Sequence, residues 1–488
     1  MSDKLQNGWV ATRLAEVVSA QKGKKPKVLR TSPAGNFVPY LDIHAIEKGE
    51  VRQFAEKISS KVATKNDLFV VWDGARSGWV GTGITGAIGS TIMALTPKMV
   101  ESNYLRYFLT SQFQTINSNT RGTGIPHVDP EIFWNLEVPL APLNEQRRIM
   151  MKVEALLGKV HTCKQRLSKI PGILKRFRQA VLAAACSGRL TADWREENQI
   201  VESASELFAK IKTQRQRRYS EECRQSFAVG KRKPKHPDSN ERSRNVVGDL
   251  PAIPESWGYF RLEELCHLIT DGTHKTPQYK VRGVPFLSVK NVRPFLVRDD
   301  DIKFISEEEH RWINARCNPE KGDILYTKVG ATFGYAAIND RNYPFSIFVS
   351  LALIKPVTPF FSSAYAELVM NSDIVFNQAR ERVSGIGTPD LHLIEIRDFR
   401  APLPPLKEQK EIVRRVEALF AFANQIEVRY AKGKVHVDKI TQSILAKAFR
   451  GELVPQDPND ESASVLLDRI RRNNIQQQKQ KQADKHEK

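Results

Sequence analysis

A chain of 488 residues predicts two to four domains at about 100–200 residues each. Its formal net charge of +20 favours a polyanionic partner, either nucleic acid or an anionic membrane surface. The five scattered cysteines (Cys163, Cys186, Cys223, Cys266 and Cys317) fit no zinc-ligand or CxxC spacing, and they point to free thiols in a reducing cytoplasm. The opening Met-Ser-Asp-Lys-Leu-Gln lacks the apolar core of a signal peptide, and no apolar run is long enough to span a bilayer. The membrane option therefore weakens and the nucleic-acid option gains.

Residues 10–138 read as a mixed α/β domain, in which short β-rich runs such as Leu68-Phe-Val-Val-Trp72 alternate with glycine-rich turns. The Pro-rich segment Pro139-Leu-Ala-Pro-Leu-Asn-Glu-Gln146 suits an extended approach to a helix start. Ile149, Val153, Leu156, Val160, Cys163, Leu167 and Ile170 then follow in a heptad rhythm. Such a helix, running to about residue 187, would be roughly 65 Å long at about 1.5 Å per residue. Pro171 and Gly172 are expected to kink or split it. Residues 212–247 carry eleven Lys/Arg against four Asp/Glu and read as a solvated basic linker.

A second mixed α/β domain is predicted over 257–401, with the β-rich run Ile324-Leu-Tyr-Thr327. A second heptad follows at Ile412, Val416, Leu419, Ala423, Ile426 and Tyr430, with Gly433 as a candidate kink. The tail after about Arg469 is rich in Gln, Lys and Arg and reads as helical at first, then frayed.

The two halves repeat. Pro402-Leu-Pro-Pro-Leu-Lys-Glu-Gln409 returns the first proline-rich segment at an offset of 263, and eleven of nineteen positions are identical between 139–157 and 402–420. Glu202-Ser-Ala-Ser-Glu-Leu207 matches Glu461-Ser-Ala-Ser-Val-Leu466. The domains ahead of the helices match more loosely: Val38-Pro-Tyr-Leu41 with Val284-Pro-Phe-Leu287, Gly74 and Gly78 with Gly330 and Gly334, and Gly124-Ile-Pro126 with Gly387-Thr-Pro389. A scaffold duplicated once, with heads that then diverged, has this pattern.

Motifs for autonomous catalysis are weak. Gly81-Thr-Gly-Ile-Thr-Gly86 fits GxGxxG, but the residues that follow read as a strand where a dinucleotide site needs a helix. There is no P-loop. Asp301-Ile-Lys303 is half of a nuclease pattern and is better explained as a solvated acidic loop with Asp299 and Asp300. His267, His274 and His310 show no metal-ligand spacing. An enzyme with its own methyl-transfer or nuclease site and a coiled-coil scaffold without DNA contact are the competing readings.

With these motifs in place, the chain resembles the specificity subunits of type I restriction–modification systems. The resemblance is carried by Pro-Leu-x-Pro-Leu-x-Glu-Gln before a heptad at 139–146 and 402–409, Leu174-Lys-Arg-Phe-Arg-Gln-Ala-Val-Leu182, Thr441 to Leu453, and Asp271-Gly-Thr-His-Lys-Thr-Pro277. It implies an α+β chain: two α/β target-recognition domains separated by two long helices that form an antiparallel coiled coil, with pseudo-two-fold internal symmetry. The expected segments are a first recognition domain at 1–142, a helical spacer region at 143–211 and a basic linker at 212–254. A second recognition domain at 255–405, a second spacer helix at 406–455 and a basic tail at 456–488 complete the chain. It further implies a non-catalytic subunit that reads an asymmetric bipartite site in double-stranded DNA. Two modification (methyltransferase) subunits and two restriction (translocase/nuclease) subunits would dock on it. S-adenosylmethionine, ATP and Mg2+ would act in those partners, with no cofactor or metal on this chain.

Base reading favours Arg and Lys for guanine and Asn and Gln for adenine, while phosphates favour Lys, Arg and hydroxyl residues near open turns. The candidates in the first head are Lys24, Lys25, Arg30, Arg76, Arg121, Thr123 and His127. In the second head they are Thr273, His274, Lys275, Thr276, Lys290, Asn291, Lys328, Thr332, Arg382 and Thr388. Asp271 to Pro277 is the richest cluster, and Trp79 is expected to fill a core. Arg176, Arg178, Phe449 and Arg450 mark candidate docking ends, although Phe177 and Phe449 also suit packing within the chain.

Overall fold

The computed structural model describes residues 5–122, 124–198, 202–228, 233, 236, 250–383 and 389–486. Two long helices dominate, Leu143–Cys186 and Leu406–Phe449, each of 44 residues. The first continues through Pro171 and Gly172 and the second through Gly433, so neither helix is split there. Proline removes one backbone hydrogen bond from a helix, a cost of about 3 kcal/mol that the many remaining bonds of so long a helix offset.

The chain divides into two compact units that do not follow its linear order. One comprises Met1–Ser168 with Tyr430–Lys488, the other Lys169–Arg429. Each unit therefore holds one head, the first half of the helix that follows it, and the second half of the other helix. Within the first unit, Lys164 pairs with Asp438 at 2.9 Å and Arg148 with Asp460 at 2.6 Å. Within the second, Arg178 pairs with Glu427 at 2.8 Å and Arg415 with Asp193 at 2.6 Å. Asp460 and Asp193 follow the ends of the long helices, so in each unit one helix starts beside the segment that leaves the other, and the helix halves run antiparallel.

The heptad seam is deepest where it meets the heads. Ile149, Val153, Val160, Ile412, Val416 and Ala423 are buried. Leu156, Leu167, Leu419 and Ile426 are half-buried, and Cys163 is exposed rather than in the seam. Two helices alone cover only one face of each other, so full burial needs the third surface that a head supplies. Val181, Leu182, Ala185 and Cys186 enter the second core, and Ile444, Leu445 and Ala448 enter the first.

The heads share one plan. In the first, a four-stranded antiparallel sheet runs Val18–Lys22, Ile92–Pro97, Leu68–Val71, Val80–Thr82. In the second the order is Cys266–Asp271, Leu351–Pro356, Ile324–Thr327, Ala336–Ile338. The central strands are buried on both faces, which is why they read as unbroken apolar runs. The repeated Val-Pro-aromatic-Leu runs form strands that pair in parallel with Gly86–Ile88 in one head and Ser346–Ile347 in the other. A short strand pair closes each head onto its helix, with Val10 opposite Leu140 and Gly258 opposite Leu403.

The repeated Glu-Gln is a buried knot. The Trp9 indole donates to Glu145 at 3.0 Å, and the Trp257 indole donates to Glu408 at 2.7 Å. Gln146 accepts from the Glu101 amide and donates to the Ala141 carbonyl. Gln409 accepts from the Ser362 amide and donates to the Pro404 carbonyl. All four side chains are buried, so the fold itself must supply their partners, and among the described residues it does so for all but one oxygen of Glu145. The Ser-Ala-Ser repeats are the second tie. The Ala204 amide donates to the Ser256 carbonyl, just before Trp257, and the Ala463 amide donates to the Gly8 carbonyl, just before Trp9.

These repeats open the helices Ala204–Ala228 and Ala463–His486. The first corrects the reading of a basic linker from residue 212: residues 212–228 are helical, and Leu207 and Ile211 are buried in the second core. Its remaining faces carry polar and basic side chains, and composition alone made that stripe look unstructured. Residues 229–249, apart from 233 and 236, lie outside the described residues. The second helix shows that the tail is ordered as a helix well beyond Arg469.

One half-buried acid gives a pH handle on the second unit. Burial raises the Glu367 carboxyl to about 7, although the Ile338 amide donates to it at 2.8 Å. The folded unit thus holds this proton more tightly than the unfolded chain, and stability falls as pH rises from about 5 through 7. Glu367→Gln should remove this decline and stabilise the unit by roughly 1–3 kcal/mol at about pH 8, with the gain vanishing below the ordinary glutamate range. Urea melts across pH would test it.

Candidate nucleic-acid interface

At one end of each four-stranded sheet, a glycine turn meets a proline from later in the chain, Pro126 in the first head and Pro389 in the second. Gly74 and Gly78 open and close the turn in the first head, Gly330 and Gly334 in the second, all with positive φ. Gly78, at φ +92°, also has no room for a side chain, because a Cβ there would sit 2.6 Å from Ile116. The Gly74 amide donates to the Pro126 carbonyl at 2.8 Å, and the Gly330 amide donates to the Pro389 carbonyl at 2.8 Å. The prolines of the loosely matching Gly-x-Pro segments thus share one contact, a carbonyl that accepts from the first turn glycine.

An ionic cluster lies at this junction in both heads. In the first, Lys22 and His127 both contact Asp73 at 2.7 Å. Burial pushes the Asp73 carboxyl up, but hydrogen bonds from Lys22 and His127 outweigh it and hold the carboxyl below its ordinary range. In the second, buried Lys328 lies 3.7 Å from both Asp271 and Asp390. Asp271 is also held by Arg316 at 2.5 Å and His274 at 3.2 Å. Burial lowers the pKa of the nearby Arg397, which donates to the Ile269 carbonyl, and the charge of Asp271 opposes that shift.

The predicted residues divide into three groups. Arg76, Arg121 and His127 gather around the first turn and are exposed. Lys24, Lys25 and Arg30 are exposed on the adjoining segment, with Arg30 stacked on Phe37. His274, Lys275 and Thr276 are exposed beside the second cluster, Lys290 is exposed near Asp301, and Thr332 is half-buried in the second turn. Four expectations are corrected. Asn291 is buried, accepting from the Ser288 amide and donating to the Asp300 carbonyl, so its amide is spent on its own turn. Lys328 and Thr273 are buried, and the Arg382 side chain is enclosed near Asp398, over the Phe399 ring. A side chain satisfied inside the fold has nothing to present to a base. Thr123 and Thr388 lie outside the described residues.

Sequence reasoning missed Lys22, Asp73, Arg316 and Asp390. The available signal was their position, since Asp73 precedes the repeated Gly-Ala turn and Asp390 follows the repeated Gly-x-Pro. Trp79 packs on a small core, as expected. Phe449 packs edge-on against Tyr104 and Phe108 within the chain, Phe177 lines the second core, and Arg178 bonds Asn424 and Glu427. Gly81 to Gly86 leads into strands, so the dinucleotide context is missing. Among the described residues, no group of three or more His, Cys, Asp and Glu is placed to hold a metal ion, and no helix is long and apolar enough to cross a membrane.

Residues 6–171 and 254–430, well over half of the chain, match the family model of the type I restriction modification DNA specificity domain. The chain belongs to that family. It is similar to the type I restriction enzyme EcoKI specificity subunit of Escherichia coli K12, 27% identical over 96% of each chain. It is also similar to the MjaVIII specificity subunit of Methanocaldococcus jannaschii, 25% identical over 92% of this chain and 94% of that one. In fold it resembles a chain of a type I restriction–modification system solved in a study of complex assembly and conformational transition, with a TM-score of 0.61 at 21% identity, covering 92% of this chain and all of that one. It also resembles the HsdS subunit of Thermoanaerobacter tengcongensis, with a TM-score of 0.52 at 19% identity, covering 92% and 99% of the two chains. The two matched regions of this type I specificity protein each contain one head and the first part of the helix behind it.

Proposed function

We propose that this chain is the DNA-specificity subunit of a type I restriction–modification system. Each head reads one half of an asymmetric bipartite target in double-stranded DNA. The chain docks two modification subunits and two restriction subunits in the cytoplasm, and it directs adenine methylation or ATP-dependent cleavage by the assembly. S-adenosylmethionine, ATP and Mg2+ act in those partner subunits.

One observation carries the reading: the helices and their buried Glu-Gln and Ser-Ala-Ser ties repeat closely, while the surface ends of the heads have diverged. A duplicated support with two different reading ends suits a target whose halves differ. Halves on one face of B-DNA lie about one helical turn, roughly 34–36 Å, apart, and long helices are suited to fix such a spacing. The net charge of +20 supports phosphate contacts.

The purified chain with its modification partner should bind a bipartite duplex with an affinity that falls by about 10³-fold or more between 50 and 200 mM salt, if six or more phosphates are neutralised. Fluorescence anisotropy with matched and scrambled duplexes measures this. Salt-independent binding, or equal binding to both duplexes, would exclude the reading.

A further inference from the structure

We propose that the residue after the loop proline in each head, His127 in the first and Asp390 in the second, contacts a base edge at the corresponding position of its half-site and sets which base is accepted there. The inference rests on the DNA-reading role above and deepens it.

The two positions are structurally the same. Each follows a proline whose carbonyl accepts from a turn glycine at 2.8 Å. Each bridges the residue just before that glycine, Asp73 with His127 and Val329 with Asp390. The backbone is thus held while the side chain differs.

The clusters beneath are inverted in charge. Lys22 lies opposite Met93, and Asp271 lies opposite Ala352, the second residues of the matching strands Ile92–Pro97 and Leu351–Pro356. A lysine in one head therefore stands where the other has an aspartate. The anion it meets in the first head, Asp73, lies just before the turn glycine; the cation that Asp271 meets in the second, Lys328, lies one residue earlier, at the position of Trp72. Attraction between neighbouring opposite charges does not depend on which strand carries which sign, so the fold is served by either polarity. What the inversion changes is the outer member of each cluster.

Those outer members offer different chemistry. The His127 side chain is 48% exposed, and that of Asp390 is 42% exposed. The Asp73 carboxylate only accepts, so Nδ1 of His127, at 2.7 Å, carries the shared proton. The other ring atom, Nε2, then accepts when the ring is neutral and donates when it is charged. The Asp390 carboxylate only accepts, which fits the amino group of cytosine or adenine. Arg76 and Arg121, exposed on the same turn and loop and paired with Glu47 and Asp129, carry the positive charge that neighbouring phosphates would meet.

The test uses the complete system in cells and maps methylated adenines across the genome. The wild-type chain should give one bipartite motif; absence of any bipartite motif would overturn the DNA-reading role itself. Asp390→Asn, which adds a donor, should alter preference at a single position of one half by about tenfold and leave the other half intact. Asp390→Glu keeps the charge beside Lys328 but moves the tip, and it should shift that same position. His127→Asn should shift one position in the other half. An unchanged motif for all three variants, each with an unchanged melting temperature, would overturn the inference. So would weakening that is uniform across sequences with a shallower salt dependence, which marks phosphate contacts rather than base edges.

Discussion

Glu408→Ala should destabilise the second unit by about 3–5 kcal/mol, because it strips a half-buried cation of its fully buried counter-charge. Arg195, whose side chain is only 17% exposed, meets Glu408 at 2.5 Å. Thr191 donates to the same carboxylate at 2.6 Å and the Trp257 indole at 2.7 Å. Three donors on two segments of the chain would lose their acceptor together. The matching change in the first unit should cost less, about 1–2 kcal/mol. There Glu145 receives the Trp9 indole, while Arg148 is engaged by Asp460 and the second carboxylate oxygen of Glu145 is buried without a hydrogen bond among the described residues. Burial raises the Glu145 pKa, so the folded first unit holds this proton more tightly than the unfolded chain does. Its stability should therefore decline as pH rises through the interval above the ordinary glutamate value, and Glu145→Gln should flatten that decline. Hydrogen exchange followed by peptide separates the two units. Equal losses from Glu408→Ala and Glu145→Ala would contradict the asymmetry.

Deleting residues 461–488 should unfold the first unit selectively. The helix Ala463–His486 places Ala463, Leu466, Leu467 and Ile470 in that core, all at 3% exposure or less. Three large aliphatic side chains at about 1.5–3 kcal/mol each contribute roughly 5–9 kcal/mol, an upper range comparable to the whole stability of a domain. The deletion also removes the Arg471–Glu16 ion pair at 2.8 Å and the Ala463 amide's bond to Gly8. Limited proteolysis should then cut within residues 5–168 first and leave 250–429 protected. Protection lost equally in both units would contradict this assignment.

The duplicated support was legible in the sequence because its chemistry is local and repeated. Pro-Leu-x-Pro-Leu-x-Glu-Gln marked the helix starts, and the heptads gave the buried faces of Ile149, Val153, Ile412 and Val416. The crossing of parts between units was not legible. Glu202 to Leu207 repeats in the sequence, but nothing local says that Ala204 bonds next to Trp257, or that Ala463 bonds next to Trp9. The helix Ala204–Ala228 was hidden for a related reason: Leu207, Ile211 and Arg215 are its buried positions beyond Ala204, and the rest is polar. At the candidate interface, residue type gave the right region but not exposure. Asn291 and Lys328 have the chemistry of base readers, yet they are buried in contacts within their own head. Asp73 and Asp390 were overlooked because carboxylates are poor candidates for a polyanion, until the cations and the half-exposed loop ends they organise are seen.

On the proposed function, each head reads its own half of the target while the shared helices support both. Replacing residues 257–401 with the corresponding domain of another family member, and mapping methylated adenines in cells that carry the complete system, tests it most directly. A new sequence should appear in one half of the motif, with the other half and the spacing unchanged. A change in both halves, or an unchanged motif in a chain that still supports methylation, would contradict it.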